Sequence, residues 1–169
     1  MLFLLFLLCA ICLWLCNSYV TVIKKREEAY DCFERVANEL KKRSSLITDI
    51  ILSTDKYLLS HQPLINSIKI LQKEVLELGL EPEFMNRRIA LDKELENKSN
   101  QLINIIKEDT ELFQLVSNSI KIYFELNEYI HMVKQDYNSA AESFRKAVDV
   151  FPSSFMARLK NIKSIDYMK

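Results

Sequence analysis

The sequence predicts an all-α protein, with an N-terminal transmembrane helix followed by an up-and-down antiparallel four-helix bundle of long coiled-coil-like helices. Three observations lead there. The 169 residues include one glycine and three prolines, beside abundant Leu, Ile, Lys and Glu, which is too little punctuation for a sheet and its turns. From Met1 to Ile23 no residue is charged. Beyond that run, apolar residues return in a four-three alternation, the spacing of a helical seam. The length suits one domain with an appendage: an anchor over residues 1–23, a helical domain over 24–152 and a tail over 153–169.

The anchor comes first. Roughly 20 apolar residues rising about 1.5 Å each span the ~30 Å hydrocarbon layer of a bilayer. A cleaved signal peptide is the competing reading, but the run has no basic residues before it, is long for such a segment, and is not followed by a clean small-x-small site. Lipidation is disfavoured because Cys9, Cys12 and Cys16 follow Leu8, Ile11 and Leu15 rather than a small residue. Only Cys32 lies outside the run, so no disulfide framework can form within the soluble part. Trp14 and Tyr19 are rings of the kind found at the bilayer interface. Lys24, Lys25 and Arg26 follow the span and no charge precedes it. The positive-inside rule therefore puts the N-terminus outside and the helical domain in the cytoplasm.

The first helix after the anchor carries Phe33, Val36, Leu40, Ile47, Ile50, Thr54 and Tyr57 on one face and is expected to continue straight out of the membrane until Pro63 interrupts it. A second seam runs through Leu64, Ile68, Leu71, Val75 and Leu78, and Gly79 with Pro82 mark the clearest turn in the chain. The third segment, from Asn86 to Lys107, carries Ile89, Leu95, Leu102 and Ile106, and Asp109 or Thr110 is a candidate cap for the next helix. The fourth has the fullest stripe: Leu112, Val116, Tyr123, Leu126, Ile130, Val133, Tyr137, Ala140, Phe144, Ala147 and Phe151, closed by Pro152. Rings alternating with alanines let a neighbouring helix approach closely. In the tail, Phe151, Phe155 and Met156 lie beside Arg158, Lys160 and Lys163. That grouping suits either the membrane interface or a frayed polar end.

Composition narrows the function. The 23 basic residues balance the 23 acidic ones, so no overall field draws the chain to nucleic acid. Glu128 and His131 form one Glu-x-x-His pair, but a di-metal bundle needs a second such pair with further glutamates, and Leu58 stands three positions before His61. The expectation is no metal and no cofactor, with a metal-binding or redox bundle built on Glu128 and His131 as the alternative. Cys32 has no evident histidine partner, and Gly79 alone cannot make a phosphate loop. No catalytic residues and no enzymatic activity are expected. Lys41, Lys42 and Arg43 read as a solvated helix face rather than an anion site. The Ala140, Phe144, Ala147 and Pro152 spacing looks locally like a tetratricopeptide helix, but a repeat would echo about 34 residues away, where Thr110 and Asn118 stand.

Two stretches resemble the LemA family of bacterial membrane-anchored helical proteins. Leu40-Lys41-Lys42-Arg43-Ser44-Ser45-Leu46-Ile47 is similar to the family's L-K-R-R-x-D-L-I run, with Tyr57 at a later family tyrosine. Tyr137-Asn138, Phe144, then Phe151-Pro152-Ser153 and Ala157 is similar to its Y-N-x5-Y-N-x5-F-P-S-x4-A ending. Thr48, Asp49, Arg145, Arg158 and Asn161 depart from the pattern. The resemblance covers the anchor, the first helix and the last. It implies a four-helix bundle outside the membrane and no established activity, so no active-site residues carry over from it. The expected partners are the lipid bilayer and proteins docked at its surface, with self-association as a further possibility.

Overall fold

The computed structural model describes residues 2–78, 84–160, 162, 165, 167 and 168. Five α-helices and one 3-10 turn account for nearly all of them, and there is no strand among the described residues. Helix α1 runs without a break over Leu2–Thr54, so the apolar N-terminal run and the first seam are one rod. After a turn and the 3-10 segment Leu59–His61 come α2 (Gln62–Glu77), α3 (Met85–Glu108), α4 (Thr110–Asp149) and α5 (Ser153–Leu159). The expected turn at Gly79 and Pro82 lies outside the described residues, as do Asn161 and Lys163.

Two boundaries differ from expectation. The first helix stops nine residues before Pro63, because the backbone tightens at Thr54: its carbonyl accepts from the Tyr57 and Leu58 N–H groups at 2.9 and 3.2 Å, and its hydroxyl donates to the Ile50 carbonyl at 2.8 Å. Leu58 then plugs the core while Tyr57 faces solvent. Pro63 falls in the first turn of α2, where a missing N–H costs nothing. The second difference is α5, a fifth helix inside the stretch expected to be a tail. Pro152 ends α4 and stands as the residue before α5.

The start of α4 is capped as the sequence suggests. The Asp109 carboxylate accepts from the Glu111 and Leu112 N–H groups at 3.0 and 3.1 Å, which satisfies two donors that a helix start leaves open.

The chain falls into two compact units, Met1–Glu34 with Lys134–Met168, and Arg35–Val133. Helices α1 and α4 contribute to both. In the second unit Ile47, Ile50 and Ile51 of α1, Ile65, Ile68 and Leu71 of α2, Leu95, Leu102, Ile103 and Ile106 of α3, and Leu112, Val116, Ile120 and Tyr123 of α4 form one buried cluster. Gln72 ties α2 to α1, donating to the Ser44 carbonyl at 2.8 Å. In the first unit the Phe33 and Tyr137 rings meet at 5.9 Å between centroids, and Tyr137, Ala140, Ala141 and Phe144 are buried. The last two members of the expected stripe are not: Ala147 is half-buried and Phe151 is 68% exposed.

This division gives a direct comparison. Phe144→Ala should cost about 3–5 kcal/mol, as for other buried rings, whereas Phe151→Ala should cost less than about 1 kcal/mol, the worth of one aromatic contact. Urea unfolding of the detergent-solubilised chain, followed by circular dichroism, measures both.

Candidate functional site

The seams themselves carry the first candidate. On α1 the four-three alternation reads Phe33, Val36, Leu40, Arg43, Ile47, Ile50, Thr54, with a guanidinium in the row of apolar positions and every one of these residues buried. On α3 the buried row is Arg88, Asp92, Leu95, Ser99, Leu102, Ile106, and on α4 it is Val116, Ile120, Tyr123, Asn127, Ile130. Each of the three helices thus places a polar group in its seam, and these groups meet.

Arg43 Nη2 donates to the Asp92 carboxylate. Its Nη1 donates to Glu96 Oε2 at 3.2 Å and to Asn127 Oδ1 at 3.1 Å. The side chains of Arg43 and Asp92 are each 3% exposed and that of Glu96 25%. Arg88, one turn before Asp92, donates from Nη2 to the Leu78 carbonyl just past the end of α2. Burial pulls the Arg88 pKa down and the Asp92 charge pushes it back up. Two guanidinium groups therefore face two carboxylates, so the layer is close to neutral.

Tyr123 borders it. Its hydroxyl is buried without a partner in hydrogen-bonding geometry, although Asn127 and Ser99 lie near enough to act on it. Burial pushes the phenol pKa up, with Glu96 adding to the rise, while Asn127, Arg43 and Ser99 oppose it.

This layer corrects three sequence readings. Arg43 is not part of a solvated face. Lys41 and Lys42 are exposed, with Lys42 paired to Glu39 at 2.7 Å, but Arg43 lies a third of a turn round the helix and points inwards. On α3, Arg88 takes the buried place expected for Ile89, which is half-buried. On α4, Asn127 takes the place expected for Leu126, and Ile120 joins the stripe. In each case the unbroken four-three count was the available signal, and assigning charged or amide residues to the outside hid it.

The C-terminal motif has a separate role. The Asn138 side-chain amide pairs with the backbone of Met168, donating from Nδ2 to its carbonyl at 2.7 Å and accepting its N–H on Oδ1 at 2.8 Å. One amide thus satisfies both backbone groups of a residue 30 positions away, as a strand neighbour would. Ile165 and Met168 are buried and Arg145 lies over the Tyr167 ring, so these residues pack instead of fraying. Ala157 is buried on α5, Pro152 and Ser153 are half-buried at its start, and Phe151 stacks edge-on against Trp14 at 5.5 Å.

Of the remaining expected residues, Leu40 and Ile47 are buried, Leu46 is half-buried and Tyr57 is exposed. Glu128 and His131 are both exposed, and no group of three potential ligands is assembled among the described residues. That leaves the metal alternative without a ligand set there.

The second unit also has an open groove of about 550 Å³, walled by α1 and α4. Leu46, Ile122, Leu126 and Tyr129 are its apolar lining, and Glu39, Lys42, Asp49 and Glu125 its charged lining.

These features define a helical-bundle protein with one N-terminal helix long and apolar enough to cross a membrane. The LemA family model matches residues 32–169, and the chain belongs to the LemA family. The match runs through the middle of the chain as well as the two motif stretches, and it begins after the apolar run. No curated protein and no solved structure matches the chain.

Two outcomes follow from the polar layer. Arg43→Met should cost about 3–5 kcal/mol, because it leaves buried carboxylates uncompensated, and adding Arg88→Met, Asp92→Leu and Glu96→Leu, which empties the layer of charge, should restore most of that loss in the same urea measurement. Tyr123→Phe should leave stability at neutral pH unchanged or higher, since it deletes a buried hydroxyl without a good partner. The folded-state pKa of Tyr123 lies above its ordinary value of 10.0, so the unfolded chain releases that proton first. Its contribution is present below pH 10 and lost as pH rises through the folded value, and Tyr123→Phe should flatten this part of the stability profile in base.

Proposed function

We propose that the protein is a single-pass membrane-anchored scaffold whose bundle docks other proteins at the membrane surface, and that it acts by binding and not by catalysis. The observation that carries this reading is the continuity of α1. One helix of 53 residues is apolar and exposed at Leu2–Leu13 and supplies the buried seam from Phe33 to Thr54, so an anchor and a bundle share one rod. Retention of the anchor is supported by the burial of Ser18 and Val22, which cleavage after the apolar run would strip from the first unit. The charges after the run favour the cytoplasmic face of a bacterial inner membrane, with the N-terminus outside.

The up-and-down antiparallel four-helix arrangement is part of the proposal. It is supported by the order of contacts that α1 makes in the first unit, where Phe33 meets Tyr137 on α4 and the earlier Trp14 meets Phe151 just beyond the end of α4. Within the bundle, the docking surface is the groove between α1 and α4. Its apolar lining and charges of both signs fit an amphipathic helix of a partner protein, whose apolar stripe would be flanked by opposite charges.

A photoreactive side chain at Ile122, in native membranes, should capture one discrete protein, and Leu126→Lys should abolish the product. Capture that is unchanged by Leu126→Lys, or equal to that from exposed Asn97, contradicts the groove, and a crosslink to a second copy of the chain means self-association instead. Protease added to the outer face of intact cells should leave the bundle uncut, and digestion there would overturn the orientation.

A further inference from the structure

We infer that the junction between α4 and α5 is a lipid-inserting surface, with Val150, Phe151, Phe155 and Leu159 entering the bilayer beside the anchor part of α1. The inference rests on the anchor reading above. All four side chains are large, apolar and exposed, Phe155 at 53%, and they cluster within ten residues of chain. Alone, such a patch could meet lipid, protein or a second copy. The contact between Trp14 and Phe151, with ring centroids 5.5 Å apart, decides among these by fixing the depth of the patch.

Trp14 lies inside the uncharged run of α1, ten residues before Lys24, the first charge after it. A span that ends where the charges begin therefore contains Trp14. Ser18 and Val22 are buried in the first unit, and Trp14 is in contact with Phe151. What packs at the level of Trp14 therefore enters with it.

The local chemistry agrees. Irregular backbone is costly in lipid because its polar groups lose water, yet here the Val150 N–H bonds to the Lys146 carbonyl at 3.1 Å, Ser154 N–H to Val150 at 2.9 Å and Phe155 N–H to Pro152 at 3.1 Å. Pro152 brings no donor of its own. Around the patch, Arg145, Lys146, Arg158 and Lys160 are exposed beside the carboxylates of Glu142 and Asp149. The excess of cations suits anionic headgroups and discourages pairing with another copy of the same surface.

Trp14 is the only tryptophan, which makes depth measurable in the full chain. In vesicles of phosphatidylethanolamine and phosphatidylglycerol doped with lipid brominated on the upper acyl chain, Phe155→Trp in a Trp14→Phe background should lose emission to the bromolipid and emit to the blue of Tyr57→Trp. Leu159→Trp is a second reporter if the first variant fails to fold. Quenching of native Trp14 while the reporter emits like Tyr57→Trp overturns the inference and leaves the anchor standing. Absence of quenching at Trp14 as well overturns both. A reporter shielded from bromolipid and from acrylamide alike means that protein covers the patch, which also overturns it.

Discussion

The Arg43 guanidinium, held between Asp92, Glu96 and Asn127 in an otherwise apolar seam, is the interaction on which the helical domain depends. An apolar stripe alone tolerates sliding, because one leucine or isoleucine packs against another nearly as well one turn further on. A buried cation does not. Displaced by a turn it would face Ile47-type neighbours with no acceptor, at a cost of several kcal/mol. The layer therefore acts as a key that fixes α1, α3 and α4 in one register, in the way that a single polar seam residue fixes register in coiled coils. Arg88 extends the same logic to the end of α2 through the Leu78 carbonyl.

A fixed register matters because α1 is uninterrupted. Within the second unit the helix has no break between Arg43 and Thr54, so no hinge there can absorb a misplaced register. Asn138 on α4 holds Met168 by both of its backbone groups, giving the second half of the family motif a structural purpose. The groove residues Leu46, Ile122, Leu126 and Tyr129 and the apolar α4–α5 junction are the surfaces on which the proposed partner helix and the bilayer would act.

Much of this was readable from the residue order. Tyr137 and Phe144 are buried where the seven-residue spacing of rings puts them, Asp109 caps α4, and the apolar run forms a helix able to cross a membrane. The misreadings share a cause, which is that a charged or amide side chain is normally outside. Arg43 was hidden by its neighbours Lys41 and Lys42, which do face water, and Asn127 by Leu126, the more apolar of two adjacent residues. Their partners lie 49, 53 and 84 positions away, a distance over which periodicity carries no information. The end of α1 at Thr54 was hidden for a different reason. A threonine hydroxyl bonded to its own helix and a plugging Leu58 leave no glycine or proline to mark the stop, so Pro63 took the credit for it.

The register claim is best tested by the distance between spin labels at Lys41 on α1 and Glu128 on α4, both exposed, measured by pulsed electron resonance in the native chain and in Arg43→Met with Arg88→Met, Asp92→Leu and Glu96→Leu. The account predicts one narrow distribution in the native protein and a broad or multiple distribution in the apolar variant, even where its stability is restored. A distribution as narrow and centred as the native one would show that the apolar seam alone sets the register, and would contradict the account.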